Sequence, residues 1–288
     1  NINKSSPRIS LSSEILSAIA ASSGPIASFV KSIAHIGKDT VTRLPRLVCV
    51  GTPFSTIHFY EHTMQAWTEG ETLHLGAEAE VISGTWHGRP AVLKKRRRRG
   101  WRHPDLDSSL TKKRMTNEIK LTIWLARKGA PVPAIWDVDI DESTIIMERI
   151  NGKPLIEILQ NNEHNEVLLI EVGKAIREIH RNAVNHGDLS TNNILITEGG
   201  KPVLIDLGLS SREYDVEGFG IDLHVLHEIL RASHPSVKGA MDLVLKGYAA
   251  LDEELGKPEP APGGMPPDAV DVIKRLEQIM MRVRYHGG

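Results

Sequence analysis

Two carboxylates and one amide have the types and spacing for chemistry: Asp188, Asn193 five residues later, and Asp206 eighteen residues after Asp188. They lie in His186-Gly187-Asp188-Leu189-Ser190-Thr191-Asn192-Asn193 and Ile205-Asp206-Leu207-Gly208, each at the edge of a short apolar run. This spacing suits transfer of a terminal phosphoryl group from Mg-ATP. The reaction needs little covalent help but much neutralisation of phosphate charge, so hard oxygen ligands must hold Mg²⁺ against the phosphates. Asn193 and Asp206 are the candidate metal ligands. Asp188 has no apolar reason for its place and is the candidate acceptor of a proton from an attacking hydroxyl or water. A single acid here would read as an ordinary turn residue. Two acids and an amide in register do not.

Upstream elements must bring ATP to these groups. Leu73-His74-Leu75, Gly76-Ala77-Glu78-Ala79, Val81–Trp86, His87-Gly88-Arg89-Pro90 and Ala91-Val92-Leu93-Lys94 read as strand, turn, strand, turn, strand. That is the layout of a kinase small lobe, with the Gly76-Ala77-Glu78-Ala79 turn over the phosphates and Lys94 reaching them. The turn lacks the three glycines of the usual nucleotide loop, so it covers the phosphates less closely. The spacing predicts a helix over 108–128, and Glu118 is its best-placed acid to hold Lys94, 24 residues further along. The competing reading is a surface glutamate, whose ion pairs contribute little. A strand over Ser143–Ile150 is expected to form the hinge, where backbone groups from Glu148 to Ile150 bond the adenine edge and Met147 borders the pocket. An amphipathic helix follows over 164–181, with Leu168, Val172, Ile176 and Ile179 on one face. His180 and His186 lack paired metal spacing, and no His-Glu-x-x-His or Cys-x-x-Cys occurs, which argues against zinc.

The chain of 288 residues is 25% charged and 40% hydrophobic, with net charge −1. This is ordinary globular composition, and any affinity for nucleic acid must come from local patches. The densest patch is Lys94-Lys95-Arg96-Arg97-Arg98-Arg99-Gly100-Trp101-Arg102-His103, followed by Lys112, Lys113 and Arg114. Such a run is usually a solvated loop, but Trp101 within it marks an anion-binding or protein-binding face. Arg282-Val283-Arg284-Tyr285-His286 adds a weaker basic element near the C-terminus. The single cysteine, Cys49, leaves no intrachain disulfide and fits a reducing compartment. No apolar run approaches the roughly 18 residues of a membrane span, so the expectation is a cytoplasmic protein without membrane contact, nuclear as well if eukaryotic. The expected organisation is an N-terminal extension over 1–63, a small lobe with hinge over 64–150, and a large lobe over 151–288 with a basic tail. The extension, of structure left open, is Ser-rich and acid-poor, similar to an organelle transit peptide; a fused remnant domain and a poorly ordered extension are the alternatives.

Leu75-Gly76-Ala77-Glu78-Ala79, Ala91-Val92-Leu93-Lys94, Gly100-Trp101-Arg102-His103-Pro104, the 186–193 loop and Ile205-Asp206-Leu207-Gly208-Leu209-Ser210 together resemble the small atypical kinase of the KEOPS/EKC complex, the PRPK type. Gly220-Ile221-Asp222-Leu223-His224-Val225-Leu226 and Ser233-His234-Pro235 continue the resemblance, which runs from about Met64 to the C-terminus. It implies an α+β, two-lobed minimal protein-kinase-like fold, with a small β-rich N-lobe and a short helical C-lobe. It implies a serine/threonine kinase or ATPase using ATP and Mg²⁺ within a complex that makes threonylcarbamoyladenosine in tRNA. The implied neighbours are tRNA, a Kae-type threonylcarbamoyl transferase, and a small KEOPS subunit on the N-lobe. Lys94, Glu118, Asp188, Asn193 and Asp206 inherit the kinase roles by position. Leu207 replaces the usual Phe of the metal motif, and the stretch from Leu251 to Asp268, with five prolines, reads as an inserted loop.

The strongest rival is a small-molecule phosphotransferase of the aminoglycoside or choline type, which shares the catalytic-loop pattern. Only 82 residues follow Asp206, little room for the helical substrate pocket such enzymes add. No Ala-Pro-Glu motif follows either, so the platform for a peptide substrate is missing. A further alternative is an interaction module whose ATP turnover times partner motion.

Overall fold

A computed structural model of the chain describes residues 66–76 and 78–286. The extension over 1–63 and Ala77 of the nucleotide turn lie outside the described residues.

The first half of this unit is a five-stranded antiparallel sheet in the order β1-β2-β3-β5-β4. Its strands are β1 (Trp67–Leu75), β2 (Ala79–Trp86), β3 (Arg89–Arg96), β4 (Ile135–Asp139) and β5 (Thr144–Glu148). Between β3 and β4 runs helix α1 (Pro104–Arg127). It begins four residues before the start expected at 108. Pro104 in the first turn has the fixed φ a helix start favours, and Asp105 and Asp107 complement the positive end of the helix dipole. Helix α1 buries Met115, Glu118, Leu121 and Leu125.

The second half holds β6 (Gly152–Pro154), α2 (Leu155–Gln160), α3 (Glu166–Arg181), β7 (Val184–Asn185), β8 (Ile194–Thr197) and β9 (Pro202–Leu204). A 3₁₀ turn (Leu207–Leu209), β10 (Ser211–Arg212), α4 (Val216–Ser233), α5 (Ala240–Leu255) and α6 (Ala269–His286) complete it. Leu168, Val172, Ile176 and Ile179, spaced for one face of α3, are all buried. The Asn165 side chain caps that helix by accepting the Leu168 N–H at 2.8 Å. Helices α3 and α5 pack at backbone distance: a Cβ on Gly173 would collide with the Val244 carbonyl, and one on Gly247 with the Ile170 carbonyl. The stretch from Leu251 is less of a loop than expected. Residues to Leu255 finish α5, because Leu251 is buried and Asp252 anchors there. Asp252 binds buried Arg177 at 2.9 and 2.7 Å and Arg181 at 2.6 Å, and Arg177 also reaches the Pro267 carbonyl at 2.9 Å. Among the described residues no helix is long and apolar enough to cross a membrane.

Candidate active site

Hairpin register brings the catalytic-loop groups together. Ile194 of β8 pairs with Leu204 of β9, so the residues just outside this pair, Asn193 and Ile205, meet at the same end. The Ile205 N–H donates to the Asn193 carbonyl at 2.9 Å, which sets Asp206 beside the loop. Asp206 sits in the left-handed region at φ 60, ψ 64. Non-glycine residues hold that conformation only where their surroundings impose it. Gly187 has φ +75, and a Cβ there would strike the Leu209 carbonyl. Only glycine fits at the residue before Asp188.

Buried and part-buried polar contacts brace the loop from behind. The Ser210 hydroxyl donates to the His186 carbonyl at 2.8 Å, and His186 Nε2 lies 3.0 Å from the Ile205 carbonyl. Asp222 of α4 accepts the His186 N–H and, at 2.9 Å, the Gly187 N–H. Its Oδ2 is also 3.2 Å from His180 Nε2. Burial holds both histidines below the ordinary 6.5, against the opposing pull of the Asp222 charge.

On the small-lobe side, strand alternation puts Lys94 and Arg96 on one face of β3. Lys94 Nζ lies 2.7 Å from Glu118 Oε1 and 2.5 Å from Asp206 Oδ1, with Lys94 and Glu118 side chains only 8% and 3% exposed. The pair expected from sequence is therefore formed, and Lys94 bridges the two lobes. The Asp206 side chain is 45% exposed. Partial burial pushes its pKa up, but the Lys94 charge and hydrogen bond, aided by Arg96 and the Gly208 N–H, carry it below the carboxylate norm of 3.8. Asn193 Nδ2 donates to the Asp188 carbonyl at 2.9 Å and to Asp188 Oδ2 at 3.1 Å. This leaves Asn193 Oδ1 as the acceptor end of the amide. A charged, accessible Asp206 and a free amide oxygen are the hard donors that Mg²⁺ takes.

The remaining candidates fall as follows. Gly76 follows β1, its N–H donating to the Ala79 carbonyl at 2.9 Å, and Ala79 opens β2. Glu78 is bound through its carboxylate to Arg99, Arg114 and Arg96. At the hinge, β5 stops at Glu148 rather than Ile150. The Glu148 N–H is taken by the Ala134 carbonyl at 2.8 Å and the Arg149 N–H by the Pro90 carbonyl at 3.4 Å. Among the described residues the Ile150 N–H has no partner, so it is the donor left for an adenine edge. Met147 lies half-buried on β5. Two residues escaped the sequence reading as parts of the site. Arg96 reads from the sequence as one cation of an anion-binding or protein-binding run, yet its side chain is 7% exposed and binds Glu118 at 2.5 Å. Its position two residues after Lys94 was the available signal. Asp222 offered none beyond its place in the family resemblance.

Residues 91–217 match the family model described as the RIO domain. The stretch spans every one of Lys94, Glu118, Asp188, Asn193 and Asp206. The chain is 33% identical over 223 residues to the EKC/KEOPS complex subunit bud32 of Dictyostelium discoideum, covering 75% of this chain and 83% of that one. It is 30% identical over 232 residues to the EKC/KEOPS complex subunit BUD32 of Gibberella zeae, covering 73% and 83%. The chain belongs to the Bud32 family. A probable bifunctional tRNA threonylcarbamoyladenosine biosynthesis protein of Methanothermobacter thermautotrophicus is 35% identical over 216 residues, 75% of this chain. The match spans only 36% of that archaeal protein's length. For a Bud32-family chain the RIO kinase-like domain implies the use of ATP with Mg²⁺ in general. The sheet-based first lobe and helical second lobe of this Bud32 relative are the mixed α+β architecture expected from the sequence.

Proposed function

We propose that this chain is an ATP-dependent phosphotransferase and ATPase that works inside a KEOPS-type assembly serving threonylcarbamoyladenosine formation in tRNA. The observation that carries the reading is Lys94 Nζ held between Glu118 and Asp206, at 2.7 and 2.5 Å. Lys94, kept in place by Glu118, neutralises phosphate charge. Asp206 and Asn193 Oδ1 are the groups that would hold Mg²⁺, which would supply neutralisation of phosphate charge. Asp206, now bonded to Lys94 at 2.5 Å, would be one of the groups to hold the metal, and Lys94 would face the nucleotide phosphates. Asp188, fixed by the Asn193 amide, accepts the proton of the attacking hydroxyl or water.

The finer reading is a serine/threonine kinase activity with a Kae-type transferase, a small KEOPS subunit on the N-lobe and tRNA as partners, in the cytoplasm. The names of the relatives support the assembly and the tRNA modification it serves, while the missing Ala-Pro-Glu platform points away from a general peptide substrate. Asp188→Ala and Asp206→Ala should each abolish ATP turnover while the chain stays folded by circular dichroism. Turnover should rise when the transferase and tRNA are added. Retained turnover in both variants refutes the site. Equal rates with and without the partners, together with rapid phosphorylation of a small alcohol, refute the placement in the assembly.

A further inference from the structure

Beside the nucleotide turn, five arginines line a recess of about 20 Å³, room for one oxygen-sized group. They are Arg96, Arg97 and Arg99 at the end of β3 and just after it, Arg102, and Arg114 of α1. Their guanidinium charges meet three carboxylates: Glu78, Asp107, and a Glu118 already shared with Lys94. Two positive charges are left over.

The donors are in surplus as well. Glu78 alone is asked to accept from Arg99 and Arg114, with Arg96 at 3.6 Å. Arg96 Nε is buried and has no hydrogen-bond partner among the described residues. The Arg102 guanidinium comes no nearer than 3.6 Å to Asp107, beyond hydrogen-bond range, although its side chain is only 17% exposed. It lies instead over the Trp101 ring, 4.6 Å from the centroid. A buried cationic donor without an acceptor, as at Arg96 Nε, is costly and rare unless something supplies the acceptor. Like charges gathered this closely repel until an anion joins them.

We propose that this recess is a binding site for a phosphate dianion, free or as a small monoester. Two leftover charges match a dianion, and a tetrahedral set of oxygens can meet several guanidinium forks at once, as a planar carboxylate cannot. One oxygen seats in the recess and the others remain at its mouth. Neither Lys94 nor Asp206 lines the recess, though it shares Glu78 with the nucleotide turn. It is thereby coupled to that turn: a phosphate competing for Arg99 and Arg114 loosens their hold on it.

The proposal does not depend on the reaction assigned above, because phosphate alone is the probe. Inorganic phosphate titrated into the full chain by calorimetry, with chloride at matched ionic strength as reference, should bind saturably. Arg102→Gln should weaken that binding at least about tenfold. Arg102→Gln removes only the 3.6 Å ion pair to Asp107 and the Trp101 contact, so the variant should stay folded with a melting temperature close to the parent's. Arg99→Gln gives a second reading, and Asp206→Asn should leave the affinity unchanged. Tighter binding of glycerol 3-phosphate identifies a monoester as the source of the group, and binding of inorganic phosphate alone identifies the free ion; both uphold the site. No saturable binding of either probe overturns it. So does binding that survives Arg102→Gln but is lost in Asp206→Asn, which would put the phosphate in the ATP cleft.

Discussion

Removing the carboxylate of Asp222 tests how the fold positions the catalytic loop. Asp222 is buried in α4 and accepts the backbone N–H groups of His186 and Gly187. In Asp222→Ala the His186 N–H is left buried without an acceptor, at a cost of about 1–3 kcal/mol. The lost bond from Gly187 runs to a charged group, a type worth about 1.5–3 kcal/mol, but Gly187 is exposed and water takes over most of that. The expected loss is about 3 kcal/mol, a large part of the roughly 5–15 kcal/mol that holds a domain folded. Asp188 is the next residue, and displacing a catalytic group by about 1 Å costs on the order of 100-fold in rate. Asp222→Asn keeps one acceptor oxygen and should fall between parent and alanine variant in both respects. Urea unfolding of the chain measures the first quantity and ATP turnover at saturating substrate the second. If Asp222→Ala unfolds within about 0.5 kcal/mol of the parent and turns over ATP within about twofold of it, the loop is not held from α4 and the reasoning fails.

Other perturbations test other links. Burial holds His180 and His186 neutral in the folded chain, so the unfolded chain takes up protons first as pH falls below 6.5. Stability should be full above that value and decline beneath it. A urea midpoint that does not drop between about pH 7 and pH 5 would contradict this. Gly173→Ala forces a Cβ into the Val244 carbonyl and should cost about 2–3 kcal/mol by overpacking, read from the shift in denaturation midpoint. Arg177→Met leaves Asp252 with Arg181 at 2.6 Å and the Ala269 N–H at 2.8 Å. Its cost should therefore sit near the lower end of the roughly 3–5 kcal/mol typical of a broken buried pair, and a melt within about 1 kcal/mol of the parent would show the pair is dispensable.

Local signals in the sequence mark elements whose own residues decide them. The face of α3 was readable because Leu168, Val172, Ile176 and Ile179 recur at helical spacing, and all four are buried. Boundaries were less readable. Helix α1 starts early because the Gly100–Pro104 run read as a motif, while Pro104 and the acids after it act as a helix start. Helix α5 runs to Leu255 because Asp252 is tied to arginines 75 and 71 residues away. No window along the chain contains that information.

The same division runs through the candidate site. Asp188, Asn193 and Asp206 were legible because a hairpin of fixed register joins them, so sequence spacing translates into proximity. Lys94 and Glu118 were legible as a pair because a buried ammonium requires a carboxylate. Arg96 and Asp222 were not, since each acts through a contact that only the assembled fold creates. Arg96 looks like one cation in a run of six, and its burial follows from strand alternation that places it beside Lys94. The run thus splits by parity and reach into residues that organise the site and residues left to solvent. Composition counts them alike, whereas the carboxylates Glu78, Asp107 and Glu118 sort them. A charge reversal at Glu118 should consequently disturb both Lys94 and Arg96, and Glu118→Lys should lose ATP turnover beyond what either cation's removal costs alone. Equal losses for Glu118→Lys and Lys94→Met would mean that Arg96 contributes nothing through Glu118.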